Sequence, residues 1–69
     1  MYDYVRQRYG VDPKLGQRAR HTVTGKSGVV AREKPGVGHY VQIKFDGQKF
    51  ALPCHPDELE FQPAAQTAG

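Results

Sequence analysis

The spacing of apolar side chains changes period along this chain, and each change marks an element. Tyr2, Val5 and Tyr9 fall at i, i+3 and i+7, with Asp3 early and Arg6 and Arg8 late, which predicts a short helix over residues 2–9 aligned with its macrodipole. Gly10 is its stop. Two helical turns are marginal alone in water, so the Tyr2–Val5–Tyr9 edge is expected to rest on a sheet.

From Gly16 the period becomes two. Gln17 to Val23 alternates, with Ala19, His21 and Val23 on one face and Arg18, Arg20 and Thr22 on the other, predicting a first strand with a basic face. Gly25-Lys26-Ser27-Gly28 reads as a turn and Val29 to Arg32 as a β-branched second strand. Glu33 to Gly38 is a loop by composition. His39 to Phe45 then sets Val41, Ile43 and Phe45 inward and Tyr40, Gln42 and Lys44 outward. Asp46-Gly47 follows, a pair suited to a type I′ hairpin turn. The return strand is expected over Gln48 to Leu52, stopped by Pro53, with Ile43 opposite Phe50 and with Phe50 and Leu52 facing inward. His55-Pro56-Asp57-Glu58 predicts a single capped helical turn, and Leu59 and Phe61 a last short strand that closes the core. Residues 63–69 carry no pattern to bury and are expected to be a disordered tail.

Short strands separated by Gly- and Pro-rich turns predict a mainly β fold: a small barrel of four to five strands over residues 14–62, a helical extension over 1–10 and the tail. A chain of 69 residues buries only about 60% of its unfolded surface, which leaves little room for a deep catalytic pocket. Mean hydropathy is −0.69 and no apolar run exceeds three residues, so neither a membrane span nor a secretory leader is expected. A single cysteine, Cys54, suits a reducing compartment, and the cytoplasm is the expected location.

The net charge of +3 is unevenly placed. Residues 1–34 hold eight of the ten Lys and Arg with three acids, whereas residues 35–69 hold two with four acids. One part of the molecule is therefore electropositive, which permits nucleic-acid contact.

Gly16-Gln-Arg-Ala-Arg-His-Thr-Val-Thr-Gly-Lys-Ser-Gly28-Val-Val30 resembles the KOW-type motif of SH3-like barrels: a basic first strand, a glycine turn and a β-branched second strand. Over a wider span, Tyr-Gly-Val-Asp-Pro, Gly-Lys-Ser-Gly-Val-Val, His-Tyr-Val-Gln-Ile-Lys-Phe-Asp-Gly-Gln-Lys and Cys-His-Pro-Asp-Glu-Leu-Glu-Phe occur in an order similar to small proteins encoded by tailed phages and prophages. The first resemblance implies an SH3-like, KOW-related barrel that binds RNA or meets the transcription or translation machinery. The second implies the cytoplasm of a bacterial host, and neither transfers a catalytic residue.

The candidate nucleic-acid contacts are Arg18, Arg20, Lys26 and Arg32, joined by Lys44, Lys49 and Tyr40, because spaced cations with an exposed aromatic serve backbone contact and base stacking. The plain alternative is a solvated strand face. Tyr4 is a second stacking candidate. Gly25-Lys26-Ser27 lacks the first glycine and the long helix of a phosphate-binding loop. His21, His39, Cys54 and His55 match no zinc spacing, and Cys54 reads as a small buried hydrophobe. Cys54, His55 and Asp57 include a nucleophile and a base, but neighbours on a strand point to opposite faces. Val41-Gln42-Ile43-Lys44 is similar to the Val-Gln-Ile-Tyr of type II dihydrofolate reductase, yet Lys44 stands where that family has its aromatic and the segment precedes the Asp-Gly turn. The sequence thus predicts a non-catalytic binding module without cofactor, metal, small-molecule substrate or membrane contact. Its partner is nucleic acid or, alternatively, a host or phage protein met through the Tyr-rich helix or a strand edge.

Overall fold

A computed structural model describes residues 1–62. The chain is mainly β. It forms helix α1 (Asp3–Tyr9), then strands β1 (Arg18–His21), β2 (Ser27–Val30), β3 (Val41–Phe45) and β4 (Leu52–Cys54), a 3-10 turn (Pro56–Glu58) and β5 (Leu59–Phe61). Strands β1 to β4 run as an antiparallel meander and β5 returns beside β1, giving the order β4-β3-β2-β1-β5 in a curled half-barrel. The tail expected over 63–69 lies outside the described residues.

The core joins all the strands to the helix: Tyr2, Val5, Ala19, Val30, Val41, Ile43, Phe45, Cys54 and Leu59 are buried together, with Tyr9, Val11 and Phe61 packed against them. The alternation read in β1 and β3 holds for Ala19, Val41, Ile43 and Phe45. The helix supplies Val5 and Tyr9 to this core, as their spacing predicts, whereas Tyr2, expected within the helix, precedes it with a left-handed backbone and still packs in the core. Tyr2 does more than fill space. Its hydroxyl donates to the Ala31 carbonyl at 2.7 Å and accepts from the Gln42 N–H at 3.0 Å, while the Ala31 N–H still reaches the Gln42 carbonyl at 2.8 Å. Tyr2 thus stands where the reciprocal rung of the β2–β3 ladder would close. Burial pushes its phenol pKa above the usual range, against the Gln42 hydrogen bond and with the Glu33 charge adding, so the hydroxyl keeps the proton it donates.

Several expectations are corrected. The first strand ends at His21, not Val23, because the His21 ring bonds locally to the Thr24 hydroxyl (3.1 Å) and N–H (3.3 Å) and turns the chain; Val23 is 69% exposed. The hairpin turn is therefore earlier than predicted, and Gly28 lies inside β2, opposite Ala19 and Phe45. A Cβ on Gly28 would stand 2.3 Å from the Lys44 carbonyl oxygen and 2.6 Å from the Phe45 Cα, so the glycine lets two backbones meet where the sheet curls.

The β3–β4 connection is also longer than a two-residue hairpin. Gly47 alone takes a positive φ (85°), whereas a type I′ turn needs one at Asp46 too. The Gln48 N–H donates to the Phe45 carbonyl at 3.0 Å and the chain loops on to Ala51, so that Ile43 faces Leu52 instead of Phe50. Phe50 consequently lies beyond the ladder with 77% of its surface exposed, and Leu52, although on the face of Ile43, stays half exposed on the edge strand. Pro53, expected to stop the strand, sits within β4, which tolerates it as an edge strand. Gln42, expected outward, is buried, and its side-chain amide has no partner among the described residues.

Gly28→Ala should cost about 3 kcal/mol, the upper range for overpacking, whereas Phe50→Ser should leave stability nearly unchanged; urea unfolding followed by circular dichroism measures both.

Candidate nucleic-acid interface

β-Sheet pairing decides which of the predicted cations are neighbours. Arg18 on β1 lies opposite Val29 on β2, and Val29 opposite Lys44 on β3, so Arg18 and Lys44 flank one row of the outer face. Arg20 lies opposite Ser27 on one side and Glu60 on the other. Lys26 belongs to the β1–β2 turn and Lys49 to the β3–β4 loop; these two connections leave the same end of the sheet, where the Asp46 N–H reaches the Ser27 carbonyl at 2.9 Å. Arg32 and Tyr40 lie at the opposite end, in the loop between β2 and β3. Three of the seven predicted contacts, Arg18, Arg20 and Lys44, therefore share the outer face; Lys26 lines the cavity with His21 and Phe45, Lys49 lies in the β3–β4 loop, and Arg32 and Tyr40 are at the opposite end.

The two strand arginines are not free. Arg18 grips the Asp46 carboxylate through both terminal nitrogens, at 2.9 and 2.8 Å, and Arg20 approaches Glu60 at 3.9 Å. The Arg18 hydrogen bonds hold the Asp46 carboxyl below its usual range, the positive charge of Lys44 adding to the effect. Elsewhere Asp3 pairs with Arg6, Asp12 with Lys14 and Arg6, and Glu58 with the His21 ring. Among the described residues this leaves Arg8, Lys26, Arg32, Lys34, Lys44 and Lys49 with no carboxylate in ion-pair range. A shallow polar hollow of about 300 Å³ opens beside Arg18, lined also by Ala19, Ser27 and Gln62.

Sequence order hides a second grouping. Tyr4 of α1 lies against His39 with ring centroids 4.2 Å apart; His55 meets the rings of Tyr9 at 5.5 Å and Tyr40 at 6.4 Å, both edge-on. These side chains come from the helix, the β2–β3 loop and the residue after β4. No spacing signal links segments so far apart in sequence, and only Tyr4 and Tyr40 stand out beforehand, as aromatics outside the core pattern.

The four His and Cys side chains, which match no zinc spacing in the sequence, are dispersed in the fold as well. His21 and Cys54 border a cavity of about 310 Å³ with Phe45, Leu52 and Pro53, whereas His39 and His55 belong to the aromatic grouping. No three His, Cys, Asp or Glu side chains converge among the described residues. The His55 ring caps the 3-10 turn, accepting from the Asp57 N–H at 3.2 Å, which engages it locally and away from the buried Cys54. Among the described residues no helix is long and apolar enough to cross a membrane. No family model, curated protein or solved structure matches this chain.

Burial pushes the Cys54 thiol above its ordinary pKa, and the Glu58 charge adds to this. Thiolate is the reactive form, so Cys54 should react with a disulfide reagent at pH 8 more slowly than free cysteine and reach the free rate once the chain is unfolded in denaturant.

Proposed function

We propose that this protein is a small non-catalytic binding module that contacts RNA or DNA through the outer face of its half-barrel. The observation that carries the reading is the pairing of the charges: among the described residues most of the acids are engaged within the fold, while six cations have no carboxylate in ion-pair range. Lys44 beside Arg18 on the outer face, with Lys49 in the β3–β4 loop and Lys26 bordering the cavity at the same end of the sheet, offers cations from separate strands and loops to one polyanion. Arg18 is exposed, and its bond to Asp46 is an exchangeable surface pair, so a phosphate can take the place of the carboxylate. The likeness of Gly16–Val30 to the KOW-type pattern supports the same reading. The wider likeness to phage and prophage proteins suits a protein working in the cytoplasm of a bacterial host.

A second reading rests on the apolar groove. Leu52 is exposed at the border of the cavity, where Phe45, Pro53 and Cys54 give an apolar wall and Lys26 and Gln48 a polar one, which suits an apolar side chain of a host or phage protein with a polar neighbour. Strand addition at this edge is less suited, since Pro53 has no N–H to donate. Salt separates the readings, because phosphate contacts weaken steeply with ionic strength and an apolar contact does not.

Fluorescence anisotropy with labelled RNA and DNA, titrated across a salt series, is the test. Lys44→Ala should weaken binding and reduce the log–log salt slope by about one. Asp46→Asn should tighten binding by releasing Arg18 and removing a negative charge. Absence of binding at low salt, or binding indifferent to salt, would refute the nucleic-acid reading.

A further inference from the structure

The outer face supplies phosphate contacts but no stacking surface, since Tyr40 lies away from it. Aromatic rings gather instead at the opposite end of the sheet. Resting on the nucleic-acid reading above, we infer that Tyr4, His39, Tyr40 and His55 form a stacking platform for the unpaired bases of a single-stranded nucleic acid.

The rings are exposed where the fold does not need them to be. Tyr2, Phe45 and Phe61 serve the core, whereas Tyr4 is 42% and Tyr40 43% exposed, and His39 and His55 are exposed beside them. His39 and Tyr40 are adjacent in the chain, so the Tyr4–His39 pair (4.2 Å) and the Tyr9–His55–Tyr40 grouping (5.5 and 6.4 Å) are anchored on consecutive residues of one loop. Tyr4 and His39 lie within 30° of parallel, and such a pair offers an outer ring face to a third planar group. The Tyr9 hydroxyl and the His55 Nε2 are 3.5 Å apart, which helps to keep the second group in place.

Charge selects the partner. The Arg8 guanidinium lies 5.6 Å from the Tyr9 ring centroid, and the loop that carries His39 and Tyr40 also carries Arg32 and Lys34; none of these three cations has a carboxylate in ion-pair range among the described residues. Of the nearby acids, Asp3 is paired with Arg6, while Glu33, which accepts from the Tyr2 N–H at 2.9 Å, and Asp57 beside His55 set two acids against the three cations. Tyrosine and histidine faces bordered by unpaired cations match a ligand with flat heterocycles on an anionic backbone. Duplex bases are stacked on one another and offer no face, so the ligand is single-stranded. The most exposed apolar side chains, Val23 and Phe50, lie toward the other end of the sheet, while Met1 and Val37 are less exposed at this one.

The test compares short labelled oligothymidylate and oligouridylate with a duplex of matched length, using the wild-type chain and Tyr4→Ala, Tyr40→Ala, Tyr4→Phe and Tyr40→Phe variants whose fold is checked by NMR. Each alanine variant should weaken single-strand binding about tenfold, while the phenylalanine variants keep it and duplex binding is unchanged. On the wild-type protein, the ring protons of Tyr4, His39 and Tyr40 should shift on addition of oligothymidylate, a readout that needs no variant. Salt-sensitive binding with unshifted ring protons and unweakened alanine variants would overturn the platform while leaving the basic face in place. If the wild-type protein bound no oligonucleotide, both readings would fall together.

Discussion

The Tyr2 hydroxyl, wedged into the ladder between β2 and β3, is the contact on which the rest of this structure depends. An antiparallel pair can splay where two strands part toward a long loop, and the cost is an unpaired N–H and carbonyl. Here one phenol satisfies both, donating to Ala31 and accepting from Gln42. The same residue takes a left-handed backbone (φ 61°, ψ 36°), which L-residues adopt at a cost of about 1–3 kcal/mol. Its N–H is held by Glu33, and its ring is fully buried. Three hydrogen bonds and a buried aromatic ring thus offset the strain and fasten a helix too short to be stable alone.

That fastening divides the molecule chemically. At the helix end, the loop between β2 and β3 is drawn against α1, which brings Tyr4 to His39 and Tyr9 and Tyr40 to His55. Toward the other end, Gly28 allows β2 to approach β3 closely, and the sheet curls to leave the half-barrel with β4 and β5 as its edges. Its outer face joins Arg18, Arg20 and Lys44. The cations of the strands and the rings beside the helix thus occupy separate regions of the molecule.

How much of this was legible in the sequence depends on whether the cause was local. The α1 edge, the inward faces of β1 and β3, the His55-capped turn and the closing role of Leu59 and Phe61 all follow from periodicity and capping chemistry. The β3–β4 register did not, because Asp-Gly favours a two-residue turn, whereas Asp46 instead binds Arg18 across the sheet and the chain loops on to Ala51. Gly28 reads as a turn residue until its partners are known. Phe50 reads as core by alternation, but a two-residue change of register carries it past the end of the ladder. For the site, the residue types were legible and their grouping was not: Arg32 and Tyr40 stand apart from Arg18 and Lys44, and the rings join only through tertiary contacts.

Amide hydrogen exchange at Gln42, compared between the wild-type chain and Tyr2→Phe, tests the Tyr2 wedge most directly. Removing a hydroxyl that serves two buried backbone groups is worth about 1–3 kcal/mol. If the hydroxyl closes the ladder, the Gln42 N–H is protected in the wild type and exchanges about tenfold to a hundredfold faster in the variant, together with the amides of α1. Unchanged protection at Gln42 in Tyr2→Phe would contradict it, and would mean that β2 and β3 hold together, and hold the helix, without the phenol.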